Sequence, residues 1–402
     1  MTRTILLAAT AAVALAATPS LAAEYGPGVS DTEIKLGNTM PYSGPASAFG
    51  TIGKAIGACF DEINADGGIN GRKITWISLD DGYSPPKTVE QTRKLVESEK
   101  VLGIVGSLGT PTSSAVHRYL NQKKVPQLFV ASGASKWDNP EDYPWTMGWQ
   151  PSYLTEAEIF GRYILENLPD AKIAILYQND DYGKDYVKGL RNVLGDRADT
   201  MIVAEETYDV TDPTIDSQIV NLKNSDANVF YNVTTPKFGA QAIRKVADLN
   251  WDVVHLLNSA SNSVATVLTP AGLDRAKGVI SAVYMKDPTD PAWQDSPDYK
   301  EWAAFMKAHY ADGDMTDAFN GFGYAVCKTV AQVIRQMGDT LTRENMMKQA
   351  ANLQDLEVPM VLPGIRIDTA PGDHAPIQQA QLQRFDGKEW VRFGAVLSTG
   401  GE

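Results

Sequence analysis

The sequence predicts an α/β protein of two lobes, each a mostly parallel sheet covered by helices. Three observations predict it. Short apolar runs such as LGIVG, LFVAS, IAILY and NVFYNV alternate with amphipathic helical stretches, and strands apolar on both faces suit a buried parallel sheet. The alternation runs through the chain twice, the pattern of a doubly wound fold. The length of 402 residues exceeds one ordinary domain and suffices for two cores.

Strands are expected at 33–40, 73–80, 101–107, 126–132, 172–178, 227–233, 253–259 and 278–284. Helices are expected near 50–64, 86–98, 111–122, 153–167, 183–195, 214–224, 236–249, 263–270, 297–310, 320–337 and 342–352, from apolar residues recurring at helical spacing. The stretch EINADGGINGRKI ends the first long helix with Gly67-Gly68 and Asn70-Gly71 and turns back into a strand. Breaks fall at Trp145–Pro151, at the Pro- and Asp-rich YMKDPTDPAWQDSP, and at Val358–Gly364. Three breaks between two series suggest lobes joined by several crossings.

At the start, Arg3, the apolar run ILLAATAAVALAA and the small residues of Ser20-Leu21-Ala22 read as a signal peptide, leaving a chain free in an extracytoplasmic space. No Cys follows it, so no lipid anchor is indicated. Export permits a disulfide between the two cysteines, Cys59 and Cys327. Both lie on predicted helices, where Cys also serves as a small buried hydrophobe, so pairing stays open. A formal net charge of −13 argues against a nucleic-acid partner.

Open parallel sheets bind ligands beyond the carboxyl ends of their strands. After 101–107, Gly106-Ser107-Leu108-Gly109-Thr110-Pro111 offers close backbone approach and a helix start that attracts a carboxylate; the same residues also suit an ordinary capped helix. Ser132-Gly133-Ala134-Ser135 after 126–132 offers small hydroxyls. Tyr182 follows 172–178, the Thr234-Thr235-Pro236 helix start follows 227–233, and Asn258-Ser259-Ala260-Ser261-Asn262 follows 253–259. Asp80-Asp81 and Asp180-Asp181 are expected to be solvated strand-end acids, and Asn232-Val233-Thr234, though a glycosylation sequon, falls in a buried strand. The four histidines are scattered, without metal-ligand spacing, and there is no G-x-S-x-G elbow, P-loop or G-x-G-x-x-G loop. The reading is a binding protein rather than an enzyme, with no cofactor and no metal.

The strings EINADGGINGRKI, ISLDDGYSPPKTVEQTRKLVE, GIVGSLGTPTSSAV and LYQNDDYGKDYVKGL, in this order, resemble the type I periplasmic solute-binding proteins of ABC importers for branched-chain and hydrophobic amino acids. The likeness spans about 30–400. It implies two Rossmann-like lobes joined by three crossings, ligand in the cleft, hinge closure, delivery to ABC permease subunits, a periplasmic location and a monomer. Lobe 1 is placed at 27–146 plus 287–356, lobe 2 at 147–286 plus 357–399, after a signal peptide at 1–22. The resemblance implies that Gly109, Thr110, Ser132, Gly133 and Ser135 hold a ligand carboxylate, that Phe49 and Phe319 supply rings, and that Tyr182, Thr234 and Ser259 contact it from lobe 2. Where amino-acid binders of the family place an acid for the ligand's ammonium, this chain aligns Ser259. A buried ammonium without an acidic partner is costly. The expectation is therefore a small carboxylate lacking an ammonium, with an aromatic acid as the leading case. A branched-chain or other hydrophobic amino acid or amide is the alternative, and an extracytoplasmic sensor a further one.

Overall fold

A computed structural model describes residues 24–398; the expected signal peptide lies outside them. Strands β1 (Glu24–Tyr25) and β12 (Thr340–Leu341) form a small parallel pair. Lobe 1 is a five-stranded parallel sheet of β2 (Glu33–Met40), β3 (Lys73–Asp80), β4 (Gly103–Val105), β5 (Gln127–Val130) and β6 (Thr146–Gly148), ordered β3-β2-β4-β5-β6. Lobe 2 holds β7 (Ile173–Gln178), β8 (Ile202–Tyr208), β9 (Val229–Val233), β10 (Val254–Leu257), β11 (Ile280–Val283), β13 (Gln379–Phe385) and β14 (Trp390–Ser398). Its order is β14-β13-β11-β10-β9-β7-β8, parallel except where β13 pairs antiparallel with β11 and β14. In each sheet the chain reverses its winding direction, between β2 and β4 and between β7 and β9, which opens a crevice at the strand ends.

The apolar runs are two-faced, as parallel strands must be. In β7, Ile173 and Ile175 enter one core with Phe160, Tyr186 and Tyr231, while Ala174 and Leu176 enter another with Phe230 and Phe238. Helix α1 (Gly50–Ala65) and the helix Ala318–Met337 cover one face of the first sheet; α2 (Pro85–Arg93) and α3 (Thr110–Gln122) cover the other. Helices α4 (Tyr153–Asn167) and α5 (Asp181–Leu194) pack together over the second sheet. The opening turn is a true helix stop: Gly67, Gly68, Asn70 and Gly71 all have φ between 52° and 99°.

Three features depart from expectation. Thr146–Gly148, read as part of a break with the lobe boundary after 146, forms strand β6 of lobe 1, and Met147 and Trp149 join that lobe's core. The edge strand β8 was not expected, because IVAEETY mixes exposed valine and acids with few buried residues. The return to lobe 2 falls later than 357: Val358, Met360, Val361, Leu362, Ile365, Ile367 and Ile377 all join the lobe 1 core, and the second sheet resumes at Gln379. The Pro- and Asp-rich crossing is braced against this segment by the Met285–Val361 bridge. Cys59 of α1 and Cys327 of the helix Ala318–Met337 form a disulfide.

Candidate functional site

The strand ends of both lobes face a cleft of about 570 Å³, counting its open mouth. Its lining comprises Phe49, Ile52, Tyr83, Leu108, Gly109, Thr110 and Ala131 of lobe 1, Phe319 and Phe322, and Gln150, Tyr153, Tyr182, Thr235, Ser259, Ala260 and Tyr284. None of these carries a formal charge.

At the lobe 1 end, Gly109 has φ 101°, and a Cβ there would lie 2.5 Å from the Tyr83 ring and 2.6 Å from Thr112 Oγ1. Only glycine brings the backbone this close. Thr110 opens α3, and its hydroxyl lies 2.7 Å from the Ser132 hydroxyl, which also accepts from Trp137 Nε1 at 3.0 Å. The Tyr153 ring packs beside Gly133, and burial pushes its phenol up to about 12. A helix start with polarised hydroxyls suits an anion such as a carboxylate.

The rings are set by local caps. Asp317 accepts from the Phe319 N–H at 3.0 Å and starts the helix Ala318–Met337. Phe49 ends a single turn leading into α1, and its ring lies 5.0 Å from that of Phe319. Asp180 caps α5 by accepting from the Tyr182 and Gly183 N–H groups, and the Tyr182 hydroxyl donates to the Thr234 carbonyl at 3.1 Å. Burial raises Asp180 above the usual carboxylate range.

Six of the ten expected ligand residues line the cleft together: Phe49, Gly109, Thr110, Tyr182, Ser259 and Phe319. Ser132 sits one layer beneath, behind Thr110. Gly133 packs against lobe 2, where a Cβ would meet the Pro151 carbonyl at 2.5 Å. Ser135 instead reaches across to lobe 2: its N–H donates to Asp185 at 2.7 Å and its hydroxyl at 3.3 Å. Thr234 is turned inward, its hydroxyl donating to Asn232 at 2.7 Å, and Thr235 lines the cleft in its place. The expectation of solvated acids is corrected at Asp81, which is fully buried and accepts from the Tyr83 N–H and the Thr88 hydroxyl. The sequon residue Asn232 is buried and bonded to His255 at 3.0 Å.

Sequence reasoning missed Tyr83, Gln150, Tyr153, Tyr284 and Phe322 in the lining, and one residue behind it. Glu156 of α4 is 3% exposed. It accepts from the Ser259 N–H at 2.7 Å, the Ser259 hydroxyl at 2.5 Å and the Tyr186 hydroxyl at 2.9 Å. Burial pushes it up to about 7. Lobe 2 therefore does bring an acid to the Ser259 position, from a helix 103 residues away in sequence. The signal was present: Glu156 falls on the buried stripe of α4, with Tyr153, Ala157, Phe160 and Ile164.

Two lobes with a ring-lined cleft between them define a solute-binding protein, and the chain belongs to the periplasmic binding protein family, whose profile matches residues 33–389. Its two-lobed fold matches that of type I periplasmic binding protein structures. Leu/Ile/Val-binding protein homolog 1 of Brucella abortus (strain 2308) is 26% identical over 320 residues, 78% of this chain and 81% of the relative. The fold matches a branched chain amino acid ABC transporter structure from Thermus thermophilus with bound valine (TM-score 0.82, 15% identity, 92% of this chain and 98% of that one). It also matches a fatty acid ABC transporter substrate-binding protein from Thermomonospora curvata (TM-score 0.79, 20% identity, 94% and 95%).

Proposed function

We propose that this chain is the periplasmic substrate-binding component of an ABC importer, acting as a monomer. It captures a small carboxylate-bearing solute with a bulky apolar body, closes on it, and delivers it to membrane permease subunits. One observation carries the reading: the α3 start at Gly109-Thr110 opens onto a wall of phenyl and phenol rings with no formal charge among the lining residues. The carboxylate sits at the helix start, and Phe49, Phe319 and Tyr182 enclose the body. An uncharged lining favours an aromatic acid lacking an ammonium, since nothing in direct contact would neutralise one.

A second reading is a branched-chain or other hydrophobic amino acid. The Glu156 carboxyl directly behind Ser259 favours it, as do the relatives named for leucine, isoleucine and valine. A thermal-shift screen decides between them. Aliphatic and aromatic amino acids form one set; benzoates, phenylpropenoates and 2-oxo acids form the other. A ligand at a hundredfold excess over its Kd adds about 2.7 kcal/mol of stability. Shifts with the acids alone support the first reading, and shifts with amino acids the second. No shift with either set overturns the carboxylate assignment.

A further inference from the structure

Ser259 is a lining residue of the cleft, and its hydroxyl lies 2.5 Å from a Glu156 carboxyl oxygen. An ionised carboxylate has no proton, so the shared proton must come from Ser259. The serine oxygen then faces the cleft with lone pairs only. A protonated carboxyl reverses the bond: it donates to the serine oxygen and frees the serine proton. We propose that Glu156 acts as a positioning residue that sets the polarity of Ser259, and through it the group the cleft accepts at its lobe 2 end. With the carboxyl ionised, that end takes a hydrogen-bond donor on the solute, such as an ammonium, hydroxyl or amide N–H. With it protonated, the same end takes an acceptor. This rests on the reading of the cleft as the solute site.

The surroundings leave Glu156 free to change state. The groups facing it are phenols: Tyr186 and Tyr182 of α5, Tyr231 of β9 and Tyr284 beyond β11. Among the described residues its partners are Ser259 and Tyr186, neither of them a cation. The carboxyl therefore lacks a fixed positive partner to hold it ionised, and its desolvation places the change near neutrality. A ligand ammonium brought against Ser259 would supply the missing charge and expel the proton.

Two measurements on the full mature protein test this. Infrared titration of the ligand-free protein is expected to show a buried protonated carboxyl band that fades near neutral pH. The Glu156 share of the band should be lost in Glu156→Gln, leaving that of other acids raised by burial, such as Asp287 and Asp317, and shifted to higher pH in Ser259→Ala. Binding is then measured by calorimetry at about pH 6 and about pH 8 for two probe pairs that differ only by an ammonium: phenylalanine with 3-phenylpropanoate, and leucine with 4-methylpentanoate. The preference for the ammonium-bearing member is expected to rise about tenfold between these pH values in wild type, following the ionised fraction. It should stay flat in Glu156→Gln, whose amide does not titrate. Asp317, raised to about 6, caps the helix bearing Phe319, so the Glu156→Gln baseline isolates the share due to Glu156. A flat wild-type preference, an unchanged slope in Glu156→Gln, or no titrating carboxyl overturns the proposal. If neither pair binds while the carboxyl titrates as expected, the carboxylate ligand class falls and the Glu156–Ser259 coupling stands.

Discussion

Thr110 in the lining and Glu156 behind Ser259 mark opposite ends of a ring-lined cleft, and each makes a separate prediction. Removing the Thr110 hydroxyl deprives the helix start of a donor and leaves Ser132 without its 2.7 Å partner. A hydrogen bond to a charged group contributes about 1.5–3 kcal/mol. Thr110→Ala is therefore expected to weaken carboxylate binding roughly 10- to 100-fold by calorimetry; unchanged affinity would remove Thr110 from the site. Glu156 predicts a slope in stability. Its folded value, about 7, lies above the ordinary 4.5, so the folded chain holds the proton more tightly than the unfolded one. That contribution is full below about pH 4.5 and is lost as pH rises through about 7, amounting to about 3 kcal/mol. Urea melts from pH 5 to 8 are expected to show this loss in wild type and not in Glu156→Gln.

Among the elements, the turn Ser135–Trp137 that follows β5 meets α5 from the other lobe. Asp185 of α5 accepts from Ser135, and Asp181 pairs with Lys136 at 2.5 Å. The lysine pair is partly exposed and worth little, whereas the Ser135 N–H loses its partner if Asp185 is removed. Asp185→Ala is expected to shift the ligand-free protein toward an open form, visible as a larger radius of gyration by X-ray scattering, and to lower affinity about 3- to 10-fold. Identical scattering and affinity would show that the contact plays no part in closure. Most of these elements were legible in the sequence: β2 at 33–40 and β3 at 73–80 fall where the apolar runs put them. Burial along most of its length dictates the run in β2, whereas the edge strand β3 is half-buried and shows through the alternation of Ile74, Trp76 and Ser78 with Thr75, Ile77 and Leu79. Strand β8 was not legible, because two adjacent glutamates interrupt its apolar pattern and only Tyr208 in it is buried. Thr234 was misplaced by one residue because alternation along the chain end after β9 turns it inward and Thr235 outward. The Glu156–Ser259 contact was hidden for a different reason. Periodicity shows which face of α4 is buried but not which loop, 103 residues on, meets it.

The division into two lobes was readable from the doubled series, while the last crossing was not, because Val358–Ile377 has few regular elements and only its burial assigns it to lobe 1. Nor could spacing show that Cys59 and Cys327 pair across 268 residues. Closing so long a loop restricts the unfolded chain, and such a bridge contributes about 2–5 kcal/mol. Cys59→Ala with Cys327→Ala is expected to melt several degrees below the oxidised wild type by calorimetry. An unchanged melting temperature would mean that helix packing alone sets this core.

The same bridge joins the two helices whose first turns present Phe49 and Phe319, rings 5.0 Å apart. Tying the two shafts together fixes how far those rings can part. Protein disulfides of this kind persist in oxidising compartments, so a chain still surrounded by thiol reductants holds its aromatic jaw more loosely and grips solute less tightly. Redox surroundings would then set the grip: the oxidised form holds its two rings from behind, and the reduced form relies on helix packing alone.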